Sequence, residues 1–263
     1  MNVEPSRAPV AVDELLELAE HAARAAGTEL RRRQGRAGRV DLKSSATDPV
    51  SEADRAAEEV LVAAVLRARP HDGVVAEERD DRSGTSGLRW VIDPLDGTVN
   101  YLYRFPSWAV SVACEDDRGT LVGVVHDPDR EETFSAARGA GAHLDGRRLA
   151  VNDPVPLEQA LIATGFSYDP EHRRRQAQVV ARVLSRVRDI RRTGSAALDL
   201  CWLAAGRVDG YYEDSTSRWD WAAGALIAGE AGARVSRLAG PGGDGGVVAA
   251  APALHDELRE LVT

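Results

Sequence analysis

From Val12 to Arg33 the apolar positions Leu15, Leu16, Ala19, Ala22, Ala23, Ala26 and Leu30 recur every three or four residues, the spacing of one broad helix face. Gly35 and Gly38 end that run, and Val40 to Lys43 reads as a short strand. A second helical pattern covers 52–68, with Ser51 placed to cap it and Pro70 to stop it. The period then shortens to that of strands, at 73–77, 88–93, 108–115, 120–126 and 131–136. Asp145-Gly146 marks a hairpin between 142–144 and 147–149. After Asn152 to Pro156, a proline-bearing linker, strands at 160–164, 189–192, 208–213, 233–236 and 247–250 alternate with helices. Those helices are expected at 171–187, 195–206, 219–231 and 253–261, with a glycine-rich surface loop at 240–246. The pattern predicts a mixed α/β (α+β) protein with two lobes. Residues 1–152 form an antiparallel-rich lobe and 153–263 an alternating one.

Composition narrows the classes of partner. The 263 residues are 43% hydrophobic and 29% charged, enough apolar material for a full core. A net charge of −9 leaves no basic excess to neutralise nucleic acid or anionic lipid. An acidic protein that handles phosphate would therefore need metal cations to bring the anion in. Met1 to Val12 carries no apolar run of signal-peptide type, and no segment approaches a membrane span, so a cytoplasmic location is expected. Cys114 and Cys201 sit in apolar surroundings as buried thiols, and the six histidines lack zinc-ligand spacing.

The chemistry concentrates in Trp90-Val91-Ile92-Asp93-Pro94-Leu95-Asp96-Gly97-Thr98. Strand-forming residues run into a stop at Pro94 and Gly97, which places Asp93 and Asp96 where a strand ends. Two carboxylates that close repel each other unless a cation lies between them, and a hard cation such as Mg²⁺ suits oxygen ligands. Gly97 and Thr98 then offer backbone N–H groups and a hydroxyl to an anion. The competing reading is a turn in which both acids only bond their own backbone. Further acids stand at element ends: Asp54 in a first helical turn, Glu77 and Glu78 after the strand Gly73 to Ala76, Glu213 after Val208 to Tyr212, and Asp220 between Trp219 and Trp221. Singly, each is explained by the ordinary preference of acids for such positions.

Together these segments resemble the inositol monophosphatase family. The matching stretches are Asp48 to Asp54, Ala76-Glu77-Glu78, Trp90 to Tyr101, Gly194-Ser195-Ala196-Ala197, Asp209 to Glu213 and Trp219 to Gly224, in the family's order from about residue 12 onward. The resemblance implies a layered α-β-α-β-α sandwich, a homodimer, and a magnesium-dependent, lithium-sensitive phosphatase with two to three Mg²⁺ per site. It makes Glu77, Asp93 and the Leu95 carbonyl ligands of a first metal, and Asp93, Asp96 and Asp220 ligands of a second. Glu77 would also anchor a third, and Asp54 with Thr98 would orient the attacking water. Paired metals clamp the attacking and leaving oxygens of an in-line displacement, so no covalent phosphoenzyme is required.

On the leaving-group side the resemblance assigns Asp96, Gly97, Thr98, Gly194, Ala196, Glu213 and Asp220 to the substrate, with Glu213 accepting bonds from inositol hydroxyls. Histidinol phosphate, fructose 1,6-bisphosphate and 3′-phosphoadenosine 5′-phosphate are the alternative esters. A non-catalytic metal- or sugar-phosphate-binding regulator is the alternative of another class, disfavoured because the acid set is intact. Two departures fall near the substrate side: Arg104 where relatives commonly carry glycine, and Asp214 to Arg218 without the glycine often found after the glutamate. Arg218 is expected to form a salt bridge, and the runs Arg173 to Arg175 and Arg191-Arg192 are read as solvated or interface charges.

Overall fold

The computed structural model describes residues 11–34, 40–42, 49–240 and 245–263, the side chains of 40–42 and 49–51 excepted. The expected roles of Gly35, Gly38, Lys43, Asp48, the Ser51 side chain and most of the 240–246 loop lie outside the described residues. In chain order the first half contains α1 (Val12–Arg33), β1 (Val40–Leu42), β2 (Pro49–Ser51), α2 (Glu52–Ala68), β3 (Gly73–Ala76), β4 (Arg89–Asp96) and α3 (Thr98–Leu102). There follow β5 (Ala109–Asp116), β6 (Gly119–Asp127), β7 (Glu132–Ala137), β8 (Gly141–Leu144) and β9 (Arg147–Arg148). The second half contains β10 (Leu161–Thr164), α4 (Pro170–Leu184), β11 (Asp189–Arg191), α5 (Ala196–Ala204), β12 (Gly210–Glu213), α6 (Arg218–Glu230), β13 (Arg234–Leu238), β14 (Gly246–Ala250) and α7 (Pro252–Val262).

The strands β3 to β9 form a seven-stranded sheet in sequence order, antiparallel apart from the β3/β4 pair. Five strands make the second sheet, ordered β11-β10-β12-β14-β13, with β10 parallel to both its neighbours. Alternation of side chains sorts each strand between two cores. In β4, Trp90 and Ile92 face α1 and α2, while Val91 faces the opposite side, against α5 and α6. In β12, Tyr211 faces α5 and α6 and Tyr212 faces α4 and α7. The result is five layers: α1/α2, the large sheet, α5/α6, the small sheet, and α4/α7. This is the expected α-β-α-β-α sandwich.

Helix α6 sits close on the large sheet where both carry small residues. A Cβ at Gly123 of β6 would stand 2.9 Å from the Ala223 carbonyl oxygen and 3.0 Å from its Cα, both α6 backbone. Gly123→Val must therefore push α6 off the sheet. We expect a loss of about 1–3 kcal/mol, read as a lower urea midpoint at unchanged slope. A variant as stable as the parent would contradict so close a seating.

Two local outcomes differ from the sequence expectation. β4 continues to Asp96 instead of ending at 93, because the ladder to β5 shifts register between Asp93 and Asp96 and absorbs Pro94 in a bulge. The five-residue helix α3, absent from the sequence reading, follows directly on Gly97, whose φ of 98° suits glycine. Arg104 sits at φ 57°, a left-handed position where glycine costs least.

Candidate active site

The open end of the layers holds a cleft of about 410 Å³. Glu77, Asp93, Leu95, Asp96, Gly97, Thr98, Gly194, Ala196, Glu213 and Asp220 all border it, so every expected site residue except Asp54 meets there. Asp54 is fully buried nearby. Carboxylate oxygens of Asp54, Glu77 and Glu78 lie within 4.8 Å of one another, which brings Glu78 into the acidic group although the sequence reading gave it no role.

Each acid is held by local structure. Asp54 and Glu58 are one helical turn apart on the buried face of α2. Glu58 accepts the Glu78 backbone N–H at 2.8 Å and Arg79 Nε at 2.6 Å, which pins the turn carrying Glu77. At the β4 bulge, Asp93 Oδ1 accepts the Leu95 N–H at 2.9 Å. The plain-turn reading is thus met in part, since one oxygen is spent on backbone. Thr98 Oγ1 donates to the Leu95 carbonyl at 3.1 Å, and not to the Asp54 carboxylate expected to take its proton. With its proton so directed, the hydroxyl oxygen retains lone pairs for another donor.

Asp96 meets the start of α5. Its Oδ2 accepts Ser195 Oγ at 2.6 Å and the Ala197 N–H at 2.7 Å, and Ser195 in turn caps the helix by accepting the Leu198 N–H. An acid at a helix N-terminus satisfies unpaired N–H groups and the helix dipole together. Asn100 fixes the same junction by donating to the carbonyls of Ser107 at 2.5 Å and Thr193 at 2.8 Å. Asp220 closes a capping box in α6, accepting the Ser217 N–H at 2.7 Å. Arg218 forms the expected salt bridge, to the buried Glu115 of β5, which also pairs with Arg89 at 2.6 Å.

Glu213 closes the other wall. Tyr211, itself fully buried, donates its hydroxyl to Glu213 Oε2 at 3.0 Å. A Cβ at Gly165 would stand 1.9 Å from the same oxygen, so glycine is what allows the carboxylate to lie there. Asp199, accepting Thr193 Oγ1 at 2.7 Å, also borders the cleft, as does Arg192. Arg192 is exposed, as read from the sequence, and it borders the cleft as well. The chain turns it toward the acidic cleft, where its charge favours the ionised forms of Glu213 and Asp199.

Burial dominates the electrostatics. It drives the Asp93 carboxyl well above its ordinary range, helped by the charges of Glu77, Asp96, Asp220 and Asp54. Asp220 is raised in the same way by burial and then by Asp96 and Glu77. Asp96 is pushed to about 6 by burial, although bonds from Ser195 and Ala197 favour its ionised form. Burial likewise lifts Glu213 to about 7 against the opposing bond from Tyr211. Among the described residues no cysteine or histidine borders the cleft. The donors are carboxylate, carbonyl and hydroxyl oxygens, which fit a hard divalent cation and not a soft one.

Comparison with known proteins places this geometry. The sequence model of the inositol monophosphatase family matches residues 11–263. The chain is 46% identical over 232 residues to inositol-1-monophosphatase SuhB of Mycobacterium tuberculosis strain H37Rv, covering 84% of this chain and 80% of that protein. It is 40% identical over 229 residues to the Nus factor SuhB of Escherichia coli K12, covering 86% of each. Among solved structures, the extragenic suppressor protein suhB of Bartonella henselae superposes with a TM-score of 0.90 at 37% identity, over 95% of this chain and 98% of that one.

Proposed function

Because the chain belongs to the inositol monophosphatase family, we propose that it is a magnesium-dependent phosphomonoesterase acting on a small polyol phosphate, foremost inositol monophosphate. One observation carries this reading: a buried group of mutually repelling carboxylates opens onto a pocket whose far wall presents Glu213. The first half calls for divalent cations and the second for hydroxyl donors.

Glu77, Asp93, Asp96, Asp220 and the Leu95 carbonyl would hold the cations, with Asp54 and Glu78 extending the set around Glu77. When bound, magnesium supplies activation of water and charge neutralisation on the phosphate. The chain's own groups do the rest. Thr98, its proton directed to Leu95, accepts a bond from the attacking water and aims it. Gly97 and Thr98 present backbone N–H groups to phosphate oxygens, and the start of α5 at Gly194 to Ala196 borders the ring of the leaving group. Glu213 and Asp220 accept its hydroxyls. Lithium sensitivity, a homodimer, a cytoplasmic site of action and a division of labour between residues 1–152 and 153–263 belong to the same proposal.

A phosphate-release panel tests it, with myo-inositol 1-phosphate, histidinol phosphate, fructose 1,6-bisphosphate and 3′-phosphoadenosine 5′-phosphate, each with Mg²⁺ and with EDTA. The expected order of kcat/KM puts the inositol ester first, with every rate abolished by EDTA. Release from none of the four esters, or release indifferent to EDTA, would sink the reading. Glu213→Gln should raise KM for the inositol ester about tenfold, the scale of one charge-assisted bond, and leave hydrolysis of p-nitrophenyl phosphate near the parent rate.

A further inference from the structure

The cleft has two rims on its leaving-group side, 165–169 after β10 and 213–217 after β12, and α4 lies against both. One side chain of α4 spans them. Gln176 Oε1 accepts the Ser167 backbone N–H at 3.0 Å, while its Nε2 donates to Asp214 Oδ1 at 2.7 Å and faces Ser215 Oγ at 3.3 Å. His172, one turn earlier on the same face, pairs through Nε2 with that same Asp214 oxygen at 2.9 Å. Arg175 faces the other ring nitrogen at 3.4 Å, which leaves Nε2 to carry the proton. His172 is 4% exposed and Gln176 6%, so their side of these bonds is shielded from water, while the Asp214 side chain keeps 30% exposure. Asp214 directly follows Glu213. The side chain that points into the cleft and the one gripped from α4 are therefore neighbours on one short stretch of backbone.

From this juxtaposition we infer that His172 and Gln176 lock the two rims together through Asp214 and are positioning residues for leaving-group selection, acting on Glu213 without touching the metal half of the site. Asp214 and Ser215 lie in the segment without the glycine often found after the glutamate. The inference rests on the reading of the cleft as a polyol phosphate site. Gln176 is the hinge pin of the arrangement, since its one side chain binds both rims.

The test compares Gln176→Met, of similar length without the amide, with Asp214→Ala and Asp214→Asn in the full chain. Asp214→Asn keeps the shared acceptor oxygen. Gln176→Met and Asp214→Ala should lower kcat/KM for myo-inositol 1-phosphate about tenfold, mainly through KM, while p-nitrophenyl phosphate and the Mg²⁺ activation midpoint change less than about twofold. Asp214→Asn should restore the inositol ester. Amide exchange at Ser167 should quicken in Gln176→Met, with Asp93 to Thr98 unchanged. Equal losses on both esters, or unchanged exchange at Ser167, would overturn the lock. A parent chain that hydrolyses no ring polyol ester would defeat the functional reading instead, and the exchange measurement would still judge the lock.

Discussion

Asp93→Asn should lower kcat by at least about a thousandfold, the scale of losing a group that stabilises developing charge in a dry site. The substitution is nearly isosteric, and the new amide oxygen can still accept the Leu95 N–H that Asp93 accepts at 2.9 Å. The β4 bulge therefore keeps its geometry. What disappears is a negative charge at the point where Glu77, Asp96, Asp220 and Asp54 all press on one carboxyl. Cations that need that charge lose a shared ligand. The same crowding makes the unliganded parent uncomfortable, so the variant should unfold at no lower urea concentration than the parent in magnesium-free buffer. Phosphate release, calorimetric Mg²⁺ titration and urea unfolding read the three effects. A near-normal kcat would remove Asp93 from the centre of the site, and a large fall in stability would mean that turnover was lost through misfolding.

The second large effect is on stability when magnesium is withdrawn. Asp96 has its folded pKa raised from 3.8 to about 6, and Asp93 and Asp220 are raised well above the ordinary range in the same direction. A raised carboxyl stabilises the fold fully below its unfolded pKa, and that contribution is lost as pH climbs through the folded value. The magnesium-free protein should accordingly lose stability between about pH 4 and 7, on the order of 2–3 kcal/mol from Asp96 alone. Acids held low by arginines work elsewhere on the scale. Glu29, bonded by Arg32 and Arg33, and Asp116, bonded by Arg138, lie at about 2 and weaken the fold only in stronger acid. Saturating Mg²⁺ should reverse the slope, because cation binding requires the ionised carboxylates. Thermal unfolding against pH, with Mg²⁺ and with EDTA, checks both signs. A magnesium-free Tm that is flat or rising from pH 4.5 to 7 would contradict the crowded-carboxylate account.

The parts of the molecule that sequence revealed are those governed by local rules. Both N-terminal helices fall where the 3.6-residue period and Pro70 placed them. The chemistry-bearing acids were legible because motif spacing puts them at element ends, and the cleft gathers ten of the eleven expected residues. What stayed hidden depends on distant partners. Ser195 serves Asp96 across 99 positions, and Glu58 holds the Glu78 turn across 20. A serine before an apolar helix and an acid on a helix face look ordinary until the layers meet. Gly165 gives no sign of its duty until Glu213 lies against it. The five-residue α3 is too short to show a period, and the β4 bulge is set by pairing with β5.

Helix α5 carries a consequence for how the protein comes apart. Of its nine residues only Trp202 keeps appreciable exposure, so this helix has no face fit for water. With α6 it covers the inner face of the large sheet on one side and that of the small sheet on the other. Neither sheet can part from this shared layer without baring apolar surface on both. A division of labour between the two halves of the chain would thus be a division of chemistry only. In folding they rise and fall as one cooperative unit, and a fragment ending at residue 152 would present the bare inner side of its sheet as an adhesive face.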